Sequence, residues 1–436
     1  MTPIISADLT TIVVAAFIAL VVPQIALTLW FVWIVRQRTQ EFLSRNDTRV
    51  NSATVPAEVI LCLRGCDATL DDVFAALSSQ SHQAWRLRVV VDSEDDPAWE
   101  VAQAAVARLE ATGASWRESV IEPLNCWPDR GSLKCASLRQ ALRSLAEETR
   151  VIALIDADSV VHRDWLLTMV DECLRPGVGA VSGNRWYAPD HDSPAAVVRA
   201  VWNAGAIVQM TTFGIPWGGS LAVRREAIDD CRWADVIKTT LCEDTALAAP
   251  LAEAGWAYRF VPALLAIDRD DDIALGPLTR WITRQLLTAR LHHPAWPLVA
   301  THGIFTSLAL AAAAAGFAYT LLTGQRSATW LFATALVVYE LVNMGLLIVI
   351  AEAARTAAHD RAAPPRSLTP DRCLRWLALI PMTQWVYGLA IARSMTARWI
   401  EWRGVVYAIH GSYPTAEVSI VQPPLAKPTP TPTPVN

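Results

Sequence analysis

Apolar and polar positions divide this chain into stretches of three kinds. Leu9 to Val35, Pro297 to Leu322, Trp330 to Ala351 and Leu374 to Ala392 are long and almost wholly apolar. Each is near or above the ~20 residues that cross a bilayer as a helix. From about residue 50 to residue 290 no such run occurs; short apolar runs alternate with amphipathic patterns instead. Val59 to Leu63, Leu87 to Val91, Val151 to Ile155, Val178 to Ser182, Ser220 to Val223 and Tyr258 to Val261 read as buried strands. The segments between them read as helices. Thr69 caps one, with Asp72 three residues on; Pro97 opens another and Gly113 closes it. Leu133 to Glu148, Asp164 to Arg175 and Pro194 to Phe213 follow, and Glu243 with Asp244 opens a last one through Leu251. The third type is the Pro/Thr-rich tail, 423–436, expected to be extended and disordered.

Strands alternating with helices predict βαβ units and a mostly parallel sheet, so the fold class is α/β with added membrane helices. The expected layout is an anchor and basic linker over 1–50 and an α/β domain over 51–295. About three further membrane helices over 296–395 and a juxtamembrane segment with the tail over 396–436 complete it. Composition agrees: 53% of the 436 residues are hydrophobic and 18% charged, too apolar for a purely soluble enzyme. The first apolar run has no Lys or Arg before it and no small-residue cleavage site after it, so it reads as a retained anchor. Arg36, Arg38, Arg45 and Arg49 follow it, which places the central domain in the cytoplasm by the positive-inside rule. Arg355, Arg361, Arg366, Arg372 and Arg375 suit a second cytoplasmic loop. Four crossings would then put the tail outside, which Arg393, Arg398 and Arg403 argue against. The net charge of −5 excludes nucleic acid as a partner. Eight cysteines without a C-x-x-C pair are expected to be free and buried.

The chemistry sits where apolar runs end in acid. Val151 to Ile155 leads into Asp156 and Asp158, whose side chains on an extended chain point the same way. Ligands bind at the carboxyl ends of open α/β sheets. Paired hard oxygens there suit Mg²⁺ or Mn²⁺ touching a diphosphate; the plainer reading is an Asp-rich turn. Asp92 ends another strand, and with Asp95 and Asp96 it can equally be a solvated acidic loop. Glu243 and Asp244 at a helix start are either caps or a base held ionised by the helix terminus. Trp217-Gly218-Gly219 is a tight turn or a place where backbone approaches a ligand.

Taken in order, these features resemble the family 2 glycosyltransferases of GT-A fold, and among them the membrane-bound ceramide-glucosyltransferase-like branch. The resemblance runs over about residues 55 to 295 and rests on Asp92, the D-A-D at 156–158, the C-E-D-T at 242–245 and the Arg280-Trp281 pair. It implies that Asp92 contacts the nucleotide base, which for a carboxylate and a uracil N–H means a UDP-sugar. It implies that Lys134 offsets phosphate charge, that Asp156 lies against the sugar and that Asp158 holds the divalent metal. Asp244 would be the general base, with Glu243 the weaker candidate. Trp217, Gly218 and Gly219 would line the sugar and acceptor crevice. Arg280, Trp281, Arg284 and Gln285 would serve the diphosphate and the acceptor wall. The chain departs from the family at Pro277, where a Gln or Arg is the pattern.

The reading is an integral membrane enzyme, in a setting that fits a bacterial inner membrane. It would transfer a hexose from a UDP-sugar, with inversion, to the hydroxyl of a membrane lipid of ceramide, diacylglycerol or hopanoid type. A processive polysaccharide synthase and a non-catalytic membrane scaffold are the alternatives. Sugar, lipid, metal and oligomeric state stay open.

Overall fold

The computed structural model describes residues 3–45, 52–111, 118–270, 272–358 and 364–422. Gly113, Arg49, Arg361 and the tail 423–436 lie outside the described residues. The short apolar runs form a sheet of seven strands in the order β3-β2-β1-β4-β7-β5-β8. These are β1 (Ala57–Leu63), β2 (Trp85–Val91), β3 (Glu118–Pro123), β4 (Val151–Ile155), β5 (Val178–Ser182), β7 (Ser220–Arg224) and β8 (Ala257–Phe260). All pair in parallel except β7, which runs antiparallel between β4 and β5. A small parallel pair, β6 (Arg185–Tyr187) with β9 (Ala266–Asp268), stands beside it.

The strands read as unbroken apolar runs because helices cover both faces. Along β4, Val151, Ala153 and Ile155 enter one core and Ile152 and Leu154 the other, the two-residue period of a strand. On the first face lie α2 (Leu70–Ser78), α3 (Pro97–Ala111) and α5 (Trp165–Cys173). On the second lie α4 (Leu133–Arg143), α7 (Arg225–Asp230), α8 (Trp233–Val236) and α9 (Ala248–Glu253). Thr69 sits at the start of α2 but makes no side-chain cap bond. α4 stops five residues short of the expected Glu148, and β3, β6 and β9 were not foreseen. α6 (Pro194–Phe213) is capped by Ser193 and ends at Gly214 with φ 70°, and its buried side chains make it a core helix.

Three helices are long and apolar enough to cross a membrane: α1 (Pro3–Ser44) over its span Leu9–Ser44, α11 (Trp296–Leu322) and α12 (Arg326–Ala357). α10 (Leu275–His292) links the α/β layers to α11. Close approach uses small residues: Gly316 faces the Phe332 ring, and Gly303 faces Tyr387 and Ile391. The fourth apolar run is not one crossing. It breaks into α13 (Pro370–Leu377) and α14 (Ile380–Thr396). Pro381 explains the break, because its ring cannot follow a helical carbonyl at Leu377. Both pieces return to the α/β layers. Arg372 and the Trp376 indole donate to Asp192, and Arg290 donates to the carbonyls of Ser394, Met395 and Ala397.

The segment after it also differs from expectation. Residues 399–422, expected only as a juxtamembrane segment, form a three-stranded antiparallel sheet, β10 (Trp399–Trp402), β11 (Val405–His410) and β12 (Glu417–Gln422). Val405, Tyr407, Ala416 and Val418 are buried in the core that contains Ile60 and Leu133. The Gly131 N–H donates to the Val418 carbonyl and the Val418 N–H to the Thr239 carbonyl, each at 2.8 Å. All eight cysteines are free as expected, but Cys66 and Cys126 are exposed rather than buried.

Candidate active site

Strands β1, β2 and β4 are in register, so their carboxyl ends deliver Arg64, Asp92 and Asp156 to one crevice. Asp92 is 4% exposed, and Arg64 Nη1 donates to its Oδ2 at 2.6 Å. Burial pushes the Asp92 carboxyl up to about 6 although Arg64 opposes the shift. Asp96 serves the loop instead, accepting from the backbone N–H groups of Gly65 and Ala98.

Lys134 enters from the first turn of α4, whose N-terminus Ser132 caps through the Cys135 N–H. Its ammonium lies 2.6 Å from Asp156 Oδ1 and 2.7 Å from Glu243 Oε1. Burial works against this charge, but Asp156, Glu243 and Asp244 together raise it well above the lysine range. Glu243 is 1% exposed, and its carboxyl is pushed up by burial, with Lys134 opposing. Apart from Lys134, neither Glu243 oxygen has a hydrogen-bond donor among the described residues. Glu243 is thus a nearly enclosed member of the crevice lining, held by Lys134.

Trp217 lines the crevice, whereas Gly218 and Gly219 do not line it as expected but pack closely behind Glu243, Asp244 and Asp156. A Cβ on Gly218 would collide with Glu243 Oε1, and one on Gly219 would meet the Trp217 ring and, at 2.8 Å, Asp156 Oδ2. The Gly218 N–H donates to Asp244 Oδ2 at 2.7 Å. The Thr245 N–H and hydroxyl donate to Asp244 Oδ1, so Asp244 caps a short 3₁₀ turn, Thr245–Leu247, rather than lying inside a helix. The carboxylate is fixed from both oxygens; Oδ1 accepts two bonds, and Oδ2, which accepts only from Gly218, keeps a lone pair for a further donor.

Asp158 lines the same crevice but has a different partner. Arg185 grips it with both terminal nitrogens, at 2.6 and 2.9 Å, and also touches Ser159 and Asp268. Burial works to raise Asp158, but Arg185 holds it well below the usual carboxylate range. The Arg185 guanidinium stands 5.1 Å from the centre of the Trp217 ring.

Trp281, Arg284 and Gln285 of α10 line the crevice. Trp281 meets Tyr187 and Trp202 edge-on, at 5.7 and 5.4 Å. Arg284 lies 4.8 Å over the Trp402 ring, and no carboxylate pairs with it among the described residues. Arg280 does not join them; it is exposed. Side chains on a helix lean toward its N-terminus, and the Arg280 guanidinium lies near Gly276. Arg64, and Trp402, Arg403 and Tyr407 from the C-terminal sheet, also line the crevice and were not anticipated.

These groups line one cavity of about 600 Å³. It continues from the carboxylates past α6 to Gln24 and Thr28 of α1, His302 and Thr306 of α11, Asn343 of α12 and Thr383 of α14. Its charges balance: Asp92, Asp156, Asp158, Glu243 and Asp244 against Arg64, Lys134, Arg185, Arg284 and Arg403. Among the described residues no group of three or more His, Cys, Asp or Glu could hold a metal by itself. Asp158 remains a carboxylate of the kind that holds Mg²⁺ jointly with substrate phosphates, once Arg185 lets go.

No curated protein matches the chain. A mannosyltransferase from Pyrobaculum calidifontis, solved with GDP-mannose and Mn²⁺, aligns over 89% of this chain and 99% of its own at 17% identity, with a TM-score of 0.45. Glucosyl-3-phosphoglycerate synthase from Mycobacterium tuberculosis, solved with phosphoglyceric acid, aligns over 55% and 80% at 16% identity, with a TM-score of 0.34. The model of glycosyl transferase family 21, a relative of family 2, matches residues 11–412, and the mostly parallel sheet is the GT-A arrangement expected of it. The chain belongs to glycosyl transferase family 21 and is a membrane glycosyltransferase.

Proposed function

We propose that this enzyme transfers a hexose from a UDP-sugar to the hydroxyl of a membrane lipid, with inversion at the sugar. The observation that carries the reading is the single cavity, which joins the strand-end carboxylates to polar side chains of the membrane helices. A lipid entering between α1, α11, α12 and α14 can bring a hydroxyl to Asp244 without leaving the bilayer. Its candidates remain ceramide, diacylglycerol and hopanoid types.

In this reading Asp92 accepts from the uracil N–H, with Arg64 fixing its orientation. Lys134 and Arg284 face the diphosphate, and Asp156, held by Lys134, orients the sugar. Asp244 takes the proton of the attacking hydroxyl, and its bonds to Gly218 and Thr245 keep it aimed. The charge balance of the cavity leaves little to offset a diphosphate. A divalent cation shared by Asp158 and the donor's phosphates would supply that charge and stabilise the leaving group. The positive-inside pattern supports a cytoplasmic site.

The test is UDP release by the purified protein in lipid nanodiscs, with UDP-sugars crossed against the three lipid types in Mg²⁺ or Mn²⁺. Transfer should require one lipid and end at a single added sugar. Asp244→Asn should lower turnover by at least about a thousandfold while UDP-sugar still binds. Near-normal turnover would remove Asp244 from the role. Release without added lipid, with a growing polymer, would identify a polysaccharide synthase instead.

A further inference from the structure

The resemblance gave a diphosphate role to Arg280, and the structure leaves Arg280 exposed, outside the cavity. The cation on that side comes from a place the α/β layers do not contain. β10 and β11 are joined by Arg403 and Gly404, with φ values of 48° and 74°. Two residues with positive φ between paired strands make a hairpin turn that normally takes Asn, Asp or Gly first. An arginine there adopts a conformation that L side chains avoid. Its side chain lines the cavity, as do Trp402 before it and Tyr407 after it.

The corner is tied down in three ways. Arg403 Nη1 donates to the Arg64 carbonyl at 3.0 Å, and Arg64 Nε returns a bond to the Arg403 carbonyl at 2.8 Å. Arg403 Nη2 donates to Asp67 Oδ2 at 2.7 Å. The Tyr407 hydroxyl accepts from the Leu133 N–H at the start of α4, beside Lys134. Burial disfavours the Arg403 charge, but Asp67, Asp158 and Asp156 more than offset it. Trp402 meanwhile carries the Arg284 guanidinium on its ring.

We propose that this corner of the C-terminal sheet is a wall of the donor site, in which Arg403 binds the donor's diphosphate and Trp402 holds Arg284 toward the same group. The inference rests on the nucleotide-sugar reading above. It makes the C-terminal sheet part of the donor site and not only a tether after the membrane helices.

The experiment measures binding of UDP, UMP and uridine to the full chain in nanodiscs with Mg²⁺, with the guanosine series in parallel. Arg403→Ala should weaken the nucleoside diphosphate by at least about tenfold and the nucleoside by no more than about twofold. Arg403→Gln, which keeps a donor for the Arg64 carbonyl, should show the same selective loss if the alanine variant folds poorly. Asp67→Asn cuts the anchor but leaves the cation, so it should retain diphosphate binding. Equal losses for diphosphate and nucleoside, no loss, or an Asp67→Asn defect as large as that of Arg403→Ala would overturn the proposal. A wild-type chain that binds no nucleoside diphosphate would instead overturn the donor reading, and the proposal with it.

Discussion

Asp92 shows how one buried side chain can give the enzyme a pH limit. Burial, helped by the Asp96 charge, outweighs Arg64 and Arg403 and brings its carboxyl up to about 6. The ionised form, which under the proposed function accepts from the base N–H, therefore dominates above about pH 6 and is lost below it. UDP-glucose binding should fall up to about tenfold between about pH 7 and about pH 5, measured by calorimetry. The esterified diphosphate gains no proton in that range, so the step belongs to the protein. Asp92→Asn should flatten the profile whatever its own affinity, and an unchanged step would move the titration elsewhere. The effect on stability has the opposite sign. A folded pKa above the unfolded one contributes stability at low pH that is lost as pH rises through about 6. Asp92, Asp156, Asp158 and Asp244 were legible in the sequence because each interrupts an apolar run or opens a turn. Arg64, Arg185 and Arg403 were not, since an arginine in a loop looks like any surface residue. Their partners come from other strands, and only the folded chain joins Arg185 to Asp158 or Arg403 to Asp67.

Among elements, the buried strands were readable because a sheet covered on both faces demands unbroken apolar runs. β3 and β6 escaped because one carries Glu118 and Glu122 and the other is only three residues long. The C-terminal sheet had a signal in the short apolar run Val405 to Ile409 and the alternation of Glu417 to Ile420, hidden by their position after a long apolar run. The last apolar run was misjudged because length and apolarity do not show the break that Pro381 makes. Its correction also explains Arg393, Arg398 and Arg403: α14 begins and ends at the α/β layers, so no outside tail is needed. The consequence is measurable by thiol labelling in sealed vesicles, after Cys66 and Cys126 are replaced by serine. Met395→Cys should react with an impermeant reagent from the same side as a chain that keeps only exposed Cys66. Gln325→Cys, in the turn between α11 and α12, should react from the opposite side. Met395→Cys labelled together with Gln325→Cys would restore a fourth crossing.

At the scale of the whole molecule, the strand ends and the membrane helices share one cavity, so two substrates of opposite polarity can meet inside it. The half at the strand ends, the donor half of the proposed function, holds all ten of the balanced charges, while Gln24, Thr28, His302, Thr306, Asn343 and Thr383 give the other half neutral polar groups. A partition of that kind lets the two halves be disturbed separately. Gly205 lies on α6 between them, lines the cavity, and has no atom within 4 Å of where a Cβ would stand. A side chain added there meets free space, and replacing a mid-helix glycine favours the helix by up to about 1 kcal/mol. Gly205→Trp should therefore fold, bind UDP as the wild type does, and lose at least about tenfold in transfer to lipid, because its indole fills the acceptor path. Gly205→Ala should leave both nearly unchanged. Loss of UDP binding in the tryptophan variant would mean that donor and acceptor occupy the same half. Full transfer would mean that the lipid reaches Asp244 by another route, from the α/β side of the cavity rather than from between the membrane helices.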